Sequence, residues 1–335
     1  MNGFLGALGQ KLAERWLTLL VLPGALLLAT ATVAASLGHA HALDHQRLVD
    51  RIGRWAQSPV ASGTGGQVVL LGAVLAAAGA AGLAAQGLGS VLRRAVLAAG
   101  WRAWPRPFRQ WAYGRVIRRR ARWEDAALRY RRQLDADARS LALRGERADP
   151  APRHAAHQAM RRVGAEEPDR PTWSGDRVHA VAVRLERDHH LDLPVLWPHL
   201  WLMLPETTRA EITAAEQSLT RASTLGGWGV LYAPLAVWWW PAAPVAGVLA
   251  LTARSRLRGA VEAYAQLLEA AVRLHAVELA GQLGIEHGGP LDQALGDALT
   301  RQLRSFDPAP ARLPPAGPTG PRGGAPSAPR RPAPG

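Results

Sequence analysis

QVVLLGAVLAAAGAAGLAAQGLGSVL, residues 67–92, carries no charged side chain, and the forty residues behind it carry thirteen arginines against Glu124 and Asp125. That excess of +11 over residues 93–132 is most of the chain's net +14. A long apolar run followed by an arginine belt reads as a membrane span whose C-terminal end faces the cytoplasm, because positively charged loops resist translocation. The run is also unusual in kind, with eight alanines and five glycines among its twenty-six residues. Such a helix gains little from lipid alone. Its small residues at four-residue spacing, Gly72, Ala76, Ala80 and Ala84, with Ala81, Ala85 and Gly89 as a second row, therefore predict close packing on another backbone.

Two more charge-free runs flank this one. Residues 16–37, behind Lys11 and Arg15, form an apolar stretch of about twenty-two residues. A secretory signal has a core of only ~7–15 residues, so an uncleaved span is expected here although Ala40-His41-Ala42 matches a cleavage pattern. Residues 222–253 lie between Arg221 and Arg254 with Trp238-Trp239-Trp240-Pro241 near the middle. At thirty-two residues the run is too long for one span of ~20 residues, and arginines at both ends place both in the cytoplasm. It reads as a helical hairpin turning at the tryptophans, which prefer the outer interface.

The expected organisation is an all-α membrane protein of four transmembrane helices, two plus a helical hairpin, with a helical cytosolic extension and a disordered Pro-rich tail. Its parts are an amphipathic cytosolic N-terminus at 1–15, spans at 16–37 and 67–92 around an extracytoplasmic loop at 38–66, and a basic helical cytosolic region at 93–221. The hairpin spans follow at 222–238 and 241–254, then cytosolic helices at 255–305 and the tail at 306–335. Both termini are then cytoplasmic, in a multi-pass protein of a bacterial plasma membrane.

The cytosolic part shows local helix signals. After Pro105 and Pro107, residues 108–146 carry a stripe of Val116, Trp123, Ala127, Tyr130, Leu134, Ala138 and Leu141, interrupted by Arg120. Residues 147–172 read as a linker with one short helix, and 173–190 as a helix capped by Thr172 or Ser174. Pro205 and Glu206 mark a start that runs on into the third span. Leu257, Val261, Tyr264, Leu268, Ala271 and His275 mark a face continuing from the fourth span, which Gly288-Gly289-Pro290 should break. The tail holds ten prolines and PxxP spacings such as Pro318/Pro321 and Pro326/Pro329.

Residues 171–206, PTWSGDRVHAVAVRLERDHHLDLPVLWPHLWLMLPE, resemble a stretch recurring in multi-pass membrane proteins of actinobacteria, where P-T-x-x-G leads to W-P-x-L-W-x-x-L-P. Pro171, Thr172, Gly175, Trp197, Pro198, Leu200, Trp201, Leu204 and Pro205 carry it. The resemblance implies a bacterial membrane protein and brings no catalytic residue.

Catalytic chemistry finds little support in the residues. The chain has no cysteine and one lysine, Lys11, which excludes thiolate metal sites and a Walker loop. No GxSxG, HExxH or dinucleotide-binding pattern occurs, and no cofactor is implied. His39, His41 and His45 in the outer loop are weak metal candidates, sharing a face only if that loop is helical. The three charge-free runs hold no acidic or basic side chain, which argues against ion-coupled transport by one chain. The belt interleaves arginine with aromatics: Arg93, Arg94, Trp101, Arg102, Trp104, Arg106, Arg109 and Trp111 are expected at the lipid interface, with Trp238, Trp239 and Trp240 opposite. Such interleaving also suits single-stranded nucleic acid, but beside a span anionic membrane lipid is the better partner. A scaffold or adaptor with a protein partner or homo-oligomer is the reading that follows; an oligomeric pore is the alternative.

Overall fold

The computed structural model describes residues 21–57, 63–145 and 148–304, and among them the regular elements are helices with no strand. The expected N-terminal segment at 1–15, the start of the first run and the tail at 306–335 lie outside the described residues.

Helix α1 (Leu22–Leu37) opens with a proline in its first turn and stops at Gly38, whose φ of +62° suits a residue without Cβ. α2 (His45–Ala56) follows a turn and is strongly two-faced. α3 (Thr64–Leu97) extends the 67–92 run to 34 residues, about 50 Å at ~1.5 Å per residue. Its segment Gly65–Leu97 is the one described helix long and apolar enough to cross a membrane; α1 is apolar but shorter.

A 3-10 turn at Trp101–Ala103 leads through Pro105 into α4 (Arg106–Arg144), which ends at Gly145 with φ +70°. α5 (Pro150–Val163) is N-capped by Asp149, whose carboxylate accepts from the Ala151 N–H at 2.9 Å. α6 (Trp173–His189) is capped by Thr172, accepting from Gly175 N–H at 3.1 Å. α7 (Leu193–Met203) and α8 (Glu206–Tyr232) meet at Pro205. A 3-10 stretch at Ala233–Val237 and the tryptophan turn join α8 to α9 (Ala242–Gln282), and α10 (Gln293–Arg304) closes the described chain.

The hairpin is antiparallel, with Gly229 beside Ala246 and Ala250, Gly226 beside Ala253, and Tyr264 bonded to Glu216. Its ascending helix departs from the expected 222–238 span. Pro234 has no N–H to give Val230, so the α-helix ends at Tyr232 and tightens to 3-10. At the far end, α9 stops at Gln282 because Gly284 takes φ +73°, earlier than Gly288-Gly289-Pro290 suggests.

α1, α3, α8 and α9 stand in a row, each packed on the next. At three points a glycine lets two backbones touch. A Cβ on Gly24 would overlap the Ala78 carbonyl, one on Gly89 would lie 2.8 Å from Thr224 Cα, and one on Gly227 would overlap the Ala85 carbonyl. Of the two predicted packing rows, the second makes these contacts, through Ala85 and Gly89. Gly72, Ala76, Ala80 and Ala84 face outward, while Ala78, Gly82, Ala85 and Gly89 are buried, with Ala81 half-buried. Small residues surround the whole of α3, so the composition of a row does not tell which face meets a neighbour.

The main core lies at the other end of the hairpin. Leu185, Leu191, Leu196, Leu200, Leu204 and Ile212 pack with Val272, Leu299 and the inner half of α9. The proline-broken segment 191–205 thus caps this bundle as α7. α6 and α9 run parallel, in a register set by three ion pairs at one offset: Arg177–Glu262, Arg184–Glu269 and Arg273–Asp188. α10 is pinned to the α6–α7 corner, where a Cβ on Gly296 would overlap the His189 carbonyl and Thr300 donates to His190 O at 3.0 Å. α4 pairs antiparallel with α5 through Asp137–Arg153 and a 5.0 Å Tyr130–His157 stack. The C-terminal end of its predicted stripe, Leu134 and Leu141, stays exposed.

Candidate functional site

The segment between α5 and α6, residues 164–172, is where the arginine belt goes. Pro168 and Pro171, both fully buried, keep it extended, so its carbonyls have no helical partners. Donors on α4 fill them. Arg119 donates to Arg170 O at 2.8 Å and Val163 O at 2.7 Å, and Arg120 to Pro168 O at 2.8 Å. Arg115 donates to Pro171 O at 3.3 Å and the Trp123 indole to Gly164 O at 3.2 Å. Positions 115, 119 and 123 are four residues apart, so one face of α4 presents all three.

Two acids anchor this joint. Asp169 holds Arg102 at 2.8 Å and Arg120 at 3.2 Å. Asp176, buried in the first turn of α6, accepts the N–H groups of Asp169 and Arg170 and pairs with Arg119 at 2.5 Å. Burial pushes the Asp176 carboxyl up, opposed by Arg119 and the two N–H groups; burial likewise pulls the Arg119 guanidinium down. Loss of water is the largest influence on both partners, so the pair serves register better than stability.

The same joint closes the end of α3, whose last carbonyls lack helical partners. The Thr172 hydroxyl donates to Val96 O and Arg170 to Leu97 O. A Cβ on Gly175 would come within 2.5 Å of Leu97 O, which explains glycine there. The residues of the P-T-x-x-G pattern thus bind the end of the longest apolar helix to the helical bundle. In the other half of the pattern, Leu200 and Leu204 are fully buried and Trp197 packs on Trp201 at 5.7 Å.

Several expected interface residues belong to this joint instead. Trp101 is buried, its indole donating to Asp169 O at 3.1 Å, and Trp104 packs against it. Sequence reading sees an aromatic beside arginines; only the returning loop supplies the acceptor. Arg94, Arg106, Arg109 and Trp111 are exposed, Arg102 stays largely exposed beside Asp169, and half-buried Arg93 donates to Thr220 at 3.2 Å. Trp238 and Trp240 are exposed, whereas the Trp239 indole donates to Ala42 O at 2.9 Å, joining the hairpin tip to the turn after α1. His39 and His41 lie in that turn, before the helix begins at His45, so His41 and His45 share no helical face. Among the described residues no three His, Cys, Asp or Glu are grouped to hold a metal ion.

Beside the joint, between α3, α4, α8 and α9, opens a cavity of about 780 Å3. Its polar end gathers Arg115, Arg119, Arg122, Arg162, Arg254 and Arg258; its apolar end rises between the glycines and alanines of the hairpin. Sequence reading missed Asp169, Asp176, Arg162 and Arg258 as members of one site. The acids of 166–176 were the available signal, being the nearest counter-charges to the belt.

Among the described residues the chain is thus all-helical, with one apolar helix of membrane length locked at its basic end to a helical bundle. No family model, no curated protein and no solved structure matches it.

Proposed function

We propose that the protein is an integral membrane scaffold: four helices cross a bacterial plasma membrane, and the α4–α7 region, the inner hairpin and α10 form a module on its cytoplasmic face. One observation carries the reading. The exposed large apolar residues of the row, Leu26 on α1, Val68 and Leu83 on α3, Val230 on α8 and Val248 and Leu251 on α9, fall in one slab. The slab is bounded by the Trp239–Ala42 contact at one end and by Arg93, Arg221 and Arg254 at the other, and no described residue inside it forms an ion pair. From Val68 to Val91, α3 covers about 35 Å, enough to cross a ~30 Å hydrocarbon core with some tilt.

Both termini face the cytoplasm on this reading, and Arg94, Arg106, Arg109 and Trp111 meet anionic headgroups. Exposure of Gly72, Ala76, Ala80 and Ala84 favours a homo-oligomer joined through α3 and keeps an oligomeric pore as the alternative. A reporter active only outside the cytoplasm tests the threading. It should work when inserted within 38–66 and stay silent when fused at 140 or 335; activity at 140 would end the proposal. Ion flux through purified protein in liposomes would favour the pore, and a scaffold passes none.

A further inference from the structure

Six arginines line the polar end of the cavity, and among the described residues no acidic side chain lines any part of it. Arg119 is neutralised by Asp176, but Arg115, Arg122, Arg162, Arg254 and Arg258 have no carboxylate partner among the described residues. They come from three elements: Arg115, Arg119 and Arg122 from successive turns of α4, Arg162 from the end of α5, and Arg254 with Arg258 from one face of α9. Arg115 stacks on Trp111 at 4.9 Å and Arg258 on Trp173 at 4.9 Å, which holds both guanidinium planes in place. Burial and the neighbouring Arg254 pull the Arg258 guanidinium below its ordinary value. Like charges gathered this way call for an anion.

The other end of the cavity is apolar and has no bulk. Gly226 and Gly229 on α8 face Ala246, Gly247 and Ala250 on α9, with Leu92 of α3 alongside. This slot begins at the arginines and continues into the slab of exposed apolar residues. Charge at one end and a smooth apolar groove at the other match an amphiphile, and about 780 Å3 is within the usual range of ligand sites.

We propose that this cavity binds one anionic phospholipid, its phosphate on the arginines and part of an acyl chain in the Gly/Ala slot. Guanidinium forks pair phosphate oxygens two at a time, and basic pockets at the cytoplasmic ends of membrane helices suit such headgroups. The inference rests on the membrane reading of the slab, and its test separates the two. The lipid would tie α4 and α5 to the hairpin beside the Asp176 joint.

Native mass spectrometry of the full chain, released from phosphatidylcholine membranes with or without phosphatidylglycerol, gives the readout. Wild type should retain one phosphatidylglycerol in preference to phosphatidylcholine, and equal retention of the two lipids overturns the proposal without any variant. Arg122→Gln with Arg254→Gln should weaken retention at least about tenfold. Arg131→Gln with Arg132→Gln removes the same charge at exposed positions outside the cavity and should leave it unchanged; equal losses in the two pairs mean general surface attraction and overturn the site. Ala250→Leu, at an exposed position of the slot, should weaken lipid retention while leaving retention of inorganic phosphate in the same measurement intact. Inorganic phosphate that displaces the lipid at similar concentration would assign the site to a soluble anion. Failure of the membrane reading looks different: the chain would then be recovered without membranes at all.

Discussion

The α8–α9 hairpin is held together differently in its two halves. In the outer half, residues 222–253, glycines bring backbones together and no charge is present. In the inner half, leucine and valine fill a core, and Arg177 and Arg184 grip Glu262 and Glu269 on the flank of α9. On the proposed membrane reading, water explains the contrast. Where water surrounds a helix, burying large apolar side chains drives association; where lipid does, that drive is absent and close van der Waals contact must replace it. The same two helices therefore change their packing chemistry along their length, at the level of Arg221 and Arg254.

The largest expected effect tests the inner half. Leu200→Ala empties a fully buried site in the main core and should cost about 3–4 kcal/mol, read as melting of the purified protein. A loss below about 1 kcal/mol would mean that this core is not the water-facing anchor of the hairpin.

Next comes the outer half, where the size of a single methyl should matter. Gly227→Ala forces a Cβ onto the Ala85 carbonyl and should cost about 2–3 kcal/mol. Gly247→Ala, on the same hairpin with nothing within 4 Å of the new Cβ, should instead add up to about 1 kcal/mol through helix propensity. Similar melting of the two variants would erase the distinction between backbone contact and open slot.

A smaller effect is pH-dependent. The Arg177 guanidinium, donating at 2.7 and 2.8 Å, holds the Glu262 carboxyl below its ordinary value. A lowered folded pKa stabilises above the unfolded value of about 4.3 and is lost as pH falls through the folded one. Wild type should therefore lose about 1 kcal/mol more than Glu262→Gln on acidification below about pH 4.3, after allowance for solvent screening. Asp176, whose carboxyl burial pushes up, works in the opposite direction and is common to both proteins. Parallel acid limbs would show that the rung is electrostatically idle.

The smallest effect separates the two faces of α3. Ala80 is exposed, so Ala80→Leu should leave the melting of the isolated chain within about 0.5 kcal/mol. Any loss should appear only in crosslinked oligomer yield. Unfolding of the single chain would place Ala80 against the protein's own backbone instead.

Element boundaries were largely readable because their causes are local. Thr172 caps α6, Pro205 precedes α8, the tryptophan turn separates the hairpin helices, and the apolar runs contain the described α1 and the middle of α3. The site was readable only as a surplus of charge. The sequence shows thirteen arginines behind an apolar run, but the acceptors of Arg115, Arg119 and Arg120 are backbone carbonyls of Val163, Pro168, Arg170 and Pro171, and a carbonyl leaves no mark in a sequence.

What the sequence by itself determined is the set of helices and the polarity along each, since periodicity, proline, glycine and charge act within a few residues. What only the tertiary structure decided is which faces meet. α3 has alanine and glycine on every side, so the choice of Ala78, Gly82, Ala85 and Gly89 over Gly72, Ala76, Ala80 and Ala84 depended on where α1 and α8 lie. The parallel register of α6 on α9 and the return of residues 164–172 onto α4 likewise join residues from about 40 to 85 positions apart. Contacts at that distance are selected by the shape and charge of the assembled chain, and no local pattern encodes them.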